Sequence, residues 1–223
     1  LHDALPIFFS DIASNTATGK VQVLSTIIPF GQVGNAVTKK YIEVGYDEIQ
    51  SVQLFGQNLP PWWKKNGITI EQVLNKAAAE YPSVISQCNL LDDSLYQAAA
   101  AAGGEPYAKL CAIAYRQSIA AHQLVKSPFG NDLLFLSKEN SSGSFMSTVD
   151  VSFPAIPLYL LLSPELAKGM LNGILFYCES GRWKKEFAPH DMGTYPFGNG
   201  QTYFFDMPIE ETANMILMVA GVA

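Results

Sequence analysis

Between Thr69 and Val125 the apolar residues recur at helical spacing, and this run limits the architectures open to the chain. Thr69, with Gln72 three positions on, forms a capping box, and Ile70, Val73, Leu74, Ala77, Ala78 and Tyr81 then repeat at i, i+3, i+4 and i+7. Pro82 is expected to end or kink that helix, with Val84, Ile85 and Cys88 continuing its apolar face. Residues 92–102 read as a second helix stopped by Gly103-Gly104. Over residues 105–125 the polar side chains Lys109, Arg116 and Gln123 fall seven apart, leaving most of the circumference to Ala, Leu, Ile, Tyr and Cys. A helix with so narrow a polar stripe packs on several sides, which points to helical hairpins arranged concentrically.

Upstream the composition changes. Residues 21–28, 40–46 and 50–55 are rich in β-formers and read as strands, with Gly31, Gly34 and Asn35 between the first two as turn material. The segment 58–65, with Pro60, Pro61, Trp62 and Trp63, is a stiff connector and the expected seam between a β-rich part and the helical part. Downstream, residues 133–136 and 145–151 suggest a long β-hairpin or a loop excursion around the 140–143 loop. Ser163-Pro164-Glu165 opens a helix to about Cys178, residues 179–205 form a Gly- and aromatic-rich loop, and a last helix starts near Pro208. The chain begins without Met and stops within the apolar run 215–223, so it reads as a piece of a longer protein.

Charge and cysteine content remove several function classes. Fourteen Lys and Arg against 20 Asp and Glu leave a net charge of −6 with no basic run, which argues against a nucleic-acid groove. The longest apolar stretch, 151–162, is interrupted by Pro154 and Pro157 and is too short for a membrane span. Cys88, Cys111 and Cys178 form no C-x-x-C pair and each lies in an apolar stretch, so buried thiols are expected rather than a disulfide framework or a zinc ribbon.

The usual hydrolase signatures are missing: there is no G-x-S-x-G, S-x-x-K, Walker A, G-x-G-x-x-G or H-E-x-x-H pattern. With only three histidines, His2, His122 and His190, a three-histidine metal site is unavailable; no metal and no cofactor are expected. What remains is carboxylates in loops and at a helix start. Glu139 and Asp150 flank the 140–143 loop, His190-Asp191 begins a polar loop, and Glu210, Glu211 and Asn214 open an otherwise apolar helix. Each has a plain structural alternative, since acids in a first turn gain from the helix dipole and an exposed Lys138–Glu139 pair says little. Arg116 equally suits a solvated stripe, and Trp62 and Trp63 suit packing at the seam.

In order along the chain, Tyr46-Asp-Glu48, Leu59-Pro-Pro-Trp-Trp63, Tyr115-Arg-Gln117, Ser137-Lys-Glu-Asn140, Thr148-Val-Asp-Val151, His190-Asp-Met-Gly-Thr-Tyr-Pro196 and Met207-Pro-Ile-Glu-Glu211 with Asn214 resemble the glutaminase A family. The likeness runs from about residue 20 onward; residues 1–15 do not contribute. It implies a mainly α fold: part of an (α/α) six-hairpin toroid preceded by the end of a β-sandwich domain. Residues 1–57 would then be the β-rich end and connector, and 58–223 the start of the toroid. It also implies hydrolysis of L-glutamine to L-glutamate and ammonia, an extracellular or periplasmic location, and partners in the β domains and remaining hairpins of the full chain. With no Ser, Cys or Thr nucleophile evident, the chemistry expected is carboxylate-assisted attack by water. Glu210 or Glu211 would be the base and Asp150 or Asp191 the acid partner, with His190, Glu139, Arg116, Asn214 and Tyr195 contacting a small-molecule substrate. The isolated, open ring is expected to turn over weakly or not at all. Two alternatives stand beside this: a six-hairpin glycoside hydrolase with Trp62, Trp63 and Tyr195 stacking on sugar rings, and a non-catalytic scaffold domain.

Overall fold

A computed structural model describes residues 27–130 and 132–223. The chain divides into two compact units, Leu1–Ile42 and Glu43–Ala223. The described part of the first, residues 27–42, carries no helix or strand; the strand expected at 21–28 falls largely outside the described residues. The strand expected at 40–46 does not form, because no strand among the described residues pairs with it.

The second unit is mainly α, in the order β1 (Val52–Leu54), β2 (Gln57–Leu59), a 3-10 turn (Trp62–Lys64), α1 (Ile70–Ala120), β3 (His122–Lys126), β4 (Leu133–Ser137), α2 (Val149–Leu162), α3 (Pro164–Glu179), β5 (Phe197–Gly198) and α4 (Pro208–Val222). β1 and β2 are antiparallel across a two-residue turn in which Phe55 and Gly56 both have positive φ, the combination that matches hairpin twist. β5 adds to β1 in parallel, with Gln53 opposite Phe197 and Leu54 opposite Gly198. The long loop before α4 is thereby tied to the first strand of the unit.

The capping box of Thr69 and Gln72 starts α1. Helical geometry continues straight through Pro82 and breaks only at Gly104 (φ 79°, ψ 177°), after which Pro106 sits in the first turn of the second segment, where its missing N–H is no loss. Pro82 therefore does not end the helix and residues 92–102 are not a separate one, and two further expectations fail here. Residues 122–125 are not helix but the start of β3, captured by the antiparallel register His122–Ser137 to Lys126–Leu133. Nor is α1 packed on several sides: Ala108 is its only buried residue, and Tyr107, Leu110 and Ile113 are exposed. Cys88 is exposed and Cys111 and Cys178 are half-buried, so the thiols are not the core residues expected of them.

Of the hairpin expected over 133–151 only the end around the 140–143 loop forms, where Lys138 bridges Met146 antiparallel, Glu139 N–H donates to Phe145 O (3.0 Å) and Ser147 N–H to Ser137 O (3.0 Å). β4 is consumed by β3, and residue 149 instead begins α2, which accommodates Pro154 and Pro157 within its length. The core lies between β4, α2, α3 and α4, with Leu136, Val149, Ile156, Tyr159, Met170, Ile174, Met192 and Met218 all buried. Gly169 and Gly173 let α3 approach β4: a Cβ on Gly169 would lie 3.2 Å from the backbone nitrogen of Phe135. Among the described residues no helix is long and apolar enough to cross a membrane.

Candidate functional site

Two helix N-termini and one loop meet at a single buried point. Asp150 lies in the first turn of α2 and Glu211 in the first turn of α4. His190 comes from the loop between α3 and α4, held beside α2 by the bond from Val149 N–H to its carbonyl (2.9 Å). One ligand-type atom from each of Asp150, His190 and Glu211 lies within 4.8 Å of the other two. The backbone leading into α2 carries two residues with positive φ, Ser144 (56°) and Ser147 (52°), the kind of strain kept only where the surroundings enforce it.

The loop is pinned by Asp191, which is fully buried. Its Oδ1 accepts from Gly193 N–H (2.8 Å), Thr202 N–H (2.9 Å) and the Thr202 hydroxyl (3.3 Å), and its Oδ2 from Tyr203 N–H (3.1 Å). Oδ2 also faces His190 Nδ1 at 3.0 Å. The imidazole stacks on Tyr203 (4.1 Å between centroids) and meets Phe145 edge-on, while Gln201 Oε1 accepts from its backbone N–H. With Nδ1 committed to Asp191, Nε2 is the nitrogen free to act toward the two carboxylates.

Those carboxylates lack compensation. Glu211 has no exposed surface, and neither of its oxygens has a hydrogen-bond partner; Asp150 Oδ1 is likewise buried and unpaired. Burial, followed by the charge of Asp150, pushes the Glu211 carboxyl up to about 7; His190 opposes this, Glu210 adds to it, and the nearby Asn214 amide favours the charged form without completing a bond. Burial pulls His190 down, but the Asp191 hydrogen bond and the charges of Asp191, Asp150 and Glu211 outweigh it and hold the imidazole above its ordinary value.

Three of the residues singled out from sequence thus converge, with Asp191 behind them and Asn214 beside Glu211; the others do not join. Glu210 is exposed, one residue away on the helix but turned outward. Asp191 departs from the role of acid partner, because five donors occupy its two oxygens and none is left for a reacting group. Glu139 caps its own loop, accepting from Gly143 N–H (2.9 Å) and Phe145 N–H. Arg116 is exposed on α1. Tyr195 reaches the carbonyl of Ser51 (3.4 Å) and lies under Lys138, while Lys65 and Lys64 sit over the rings of Trp62 and Trp63. Sequence reasoning missed Gln201 and Tyr203 as supports of His190. It also missed Ser147 and Thr148, whose buried hydroxyls have no partner just ahead of Asp150; no spacing rule flags them.

The glutaminase A six helical-hairpin domain matches residues 104–223, and a domain of unknown function, DUF5127, matches residues 10–98. The chain belongs to the glutaminase A family. The hairpin-domain match begins at the Gly104 break in α1, and the other ends at residue 98 within the same helix. A protein named Glutaminase A from Aspergillus oryzae is 35% identical over 168 residues, covering 74% of this chain. The chain spans about a quarter of that relative's length, 24%. No solved structure matches it. All three converging residues, Asp150, His190 and Glu211, lie within the span matched by the glutaminase A hairpin domain.

Proposed function

We propose that the full-length protein hydrolyses L-glutamine to L-glutamate and ammonia, with water activated at the Asp150–His190–Glu211 cluster. The observation that carries this reading is the fully buried, unpaired Glu211 carboxylate gathered with the buried, unpaired Oδ1 of Asp150 and one imidazole. Glu211, held near 7, is matched to taking a proton from water at neutral pH. Asp150 holds that water against the side-chain carbonyl of the substrate, and its oxygen adds to the carbonyl carbon. His190, fixed by Asp191, stabilises the developing oxyanion and passes a proton to the departing nitrogen. The carbon–nitrogen bond breaks, releasing ammonia and the carboxylic acid, whose proton passes back to His190 to leave the carboxylate.

The glutamine reading, rather than glycoside hydrolysis, is supported by the name of the Aspergillus relative, Glutaminase A. The spacing of the cluster, with one ligand-type atom of each side chain within 4.8 Å of the others, suits a single water held among them.

Ammonia release from glutamine by the full-length protein tests the reading. Glu211→Gln and Asp150→Asn should each lower kcat by about two orders of magnitude or more, with Glu210→Gln near wild type. Undiminished ammonia release from Glu211→Gln, or reducing-sugar release in place of ammonia, would end it.

A further inference from the structure

The same three side chains have the makings of a cation site. Two carboxylates and one imidazole offer hard-to-borderline donors, a set suited to zinc or manganese; calcium takes six to eight oxygens, and soft metals prefer thiolates. Three atoms no more than 4.8 Å apart can all lie within about 2.8 Å of a common centre, so inward shifts of less than about 1 Å reach the 2.0–2.2 Å of zinc bonds. Glu211 is fully buried with both oxygens unpartnered and one of them in the cluster, and the buried Asp150 Oδ1 is unpartnered too. No protein donor satisfies these three oxygens; a divalent cation would satisfy them together.

The surroundings fit as well. A ligating histidine commonly donates its other ring N–H to a carboxylate, which fixes the tautomer and turns the free nitrogen to the metal. Asp191 stands in that relation to His190, at 3.0 Å from Nδ1, and is itself held by Gly193, Thr202 and Tyr203. We infer that Asp150, His190 and Glu211 bind one divalent cation of the zinc or manganese class. With three protein ligands, coordination positions stay open for water, and in the cation-loaded protein the metal, in place of the Glu211 base and the His190 acid that would then ligate it, would activate that water and the substrate carbonyl. The inference deepens the hydrolase reading, but cation affinity is measured without substrate.

Titrating EDTA-stripped full-length protein with ZnCl2 in a calorimeter tests this. One ion per chain is expected. Glu211→Gln, Asp150→Asn and His190→Ala should each weaken binding at least about tenfold, while Glu210→Gln, with its exposed side chain, should not. Should a ligand variant fail to fold, the visible spectrum of the Co2+-loaded wild type decides: a d–d band shifted and intensified relative to the aqueous ion supports ligation at this site, and the unaltered aqueous-ion spectrum overturns it. Absence of stoichiometric zinc, or unchanged affinity in folded Glu211→Gln, likewise overturns the site. Zinc binding without glutamine hydrolysis would sink the hydrolase reading alone. Hydrolysis by zinc-free protein that has no cation affinity would sink the metal site alone.

Discussion

The residue that organises the site without joining the chemistry is Asp191, and its replacement by Asn is the sharpest test of the arrangement. The amide oxygen of Asn can keep the Oδ1 partners, Gly193 N–H, Thr202 N–H and the Thr202 hydroxyl. Its NH2 then takes the place of Oδ2, facing Tyr203 N–H at 3.1 Å and His190 Nδ1 at 3.0 Å. Two donors now oppose one another at Tyr203, leaving a buried N–H without an acceptor at a cost of about 1–3 kcal/mol. The bonds that survive lose their charge assistance, together about another 2 kcal/mol. The sum, about 3–5 kcal/mol, lowers the thermal midpoint by roughly 6–20 °C for a chain of this size. At His190 the new NH2 donates to Nδ1, which fixes the ring proton on Nε2 and bars protonation of Nδ1, so the imidazolium that passes a proton to the departing nitrogen cannot form. Catalysis by such a wrong tautomer falls by about 10²–10⁴. Scanning calorimetry reads the first effect, and long-range ¹H–¹⁵N spectra of His190 read the second. A midpoint within about 2 °C of wild type, together with an unchanged tautomer, would refute the reasoning.

Elsewhere the packing and a second histidine give sharp expectations. Gly169→Ala adds a Cβ within 2.2 Å of Leu133 Cδ2 and 3.2 Å of the Phe135 backbone nitrogen; the strain should exceed the gain of about 1 kcal/mol in helix propensity, for a net loss of about 1–2 kcal/mol. A urea midpoint at or above wild type would contradict that. His122 stacks on Phe135, and burial, with help from Lys138, holds its imidazole below the ordinary value against the pull of Ser118 O. The unfolded chain therefore takes up this proton first, so stability falls as pH drops below about 6.5 and on through the depressed folded value. His122→Phe should flatten that slope between pH 7.5 and pH 5; an equal slope in both proteins would remove His122 from the account.

How much of this could be read from sequence depended on whether the signal was local. The Thr69–Gln72 capping box, the Gly104 break, Pro164 and Pro208 at helix starts and the loop after α3 all rest on the conformational limits of a few neighbouring residues, and all are found where those limits put them. What failed needed tertiary information. Residues 122–125 continue a helical pattern perfectly well; only the availability of β4 as a partner turns them into β3. Residues 149–162 look broken by Pro154 and Pro157, yet packing against α3 and α4 holds them helical. The site lay between these cases. Asp150, His190 and Glu211 were all among the candidates, but so were Glu139 and Arg116, because residue type alone cannot say which loops converge. One local signal would have separated the adjacent acids: Glu211, Met215 and Met218 repeat at i, i+4 and i+7 on the buried stripe of α4, and Glu210 does not.

That placement is costly, and the cost is itself evidence. Raising a carboxyl from 4.5 to about 7 corresponds to about 3 kcal/mol against its ionised form. The helix N-terminus returns about 0.3–1 kcal/mol of it, and no hydrogen bond returns the rest. A methionine or leucine at the same point of the stripe would pack with Met215 and Met218 at no such penalty. A fold that keeps a charge there against its own stability is following a requirement other than folding. Glu211→Gln, with the same shape and no charge, should therefore gain stability, by up to about 3 kcal/mol at pH 8 in the presence of EDTA, in the same variant that loses ammonia release. Chemical denaturation of the two proteins side by side measures the gain. A Gln variant less stable than wild type under those conditions would mean that the carboxylate has a structural partner after all, and the functional reading of the cluster would lose its main support.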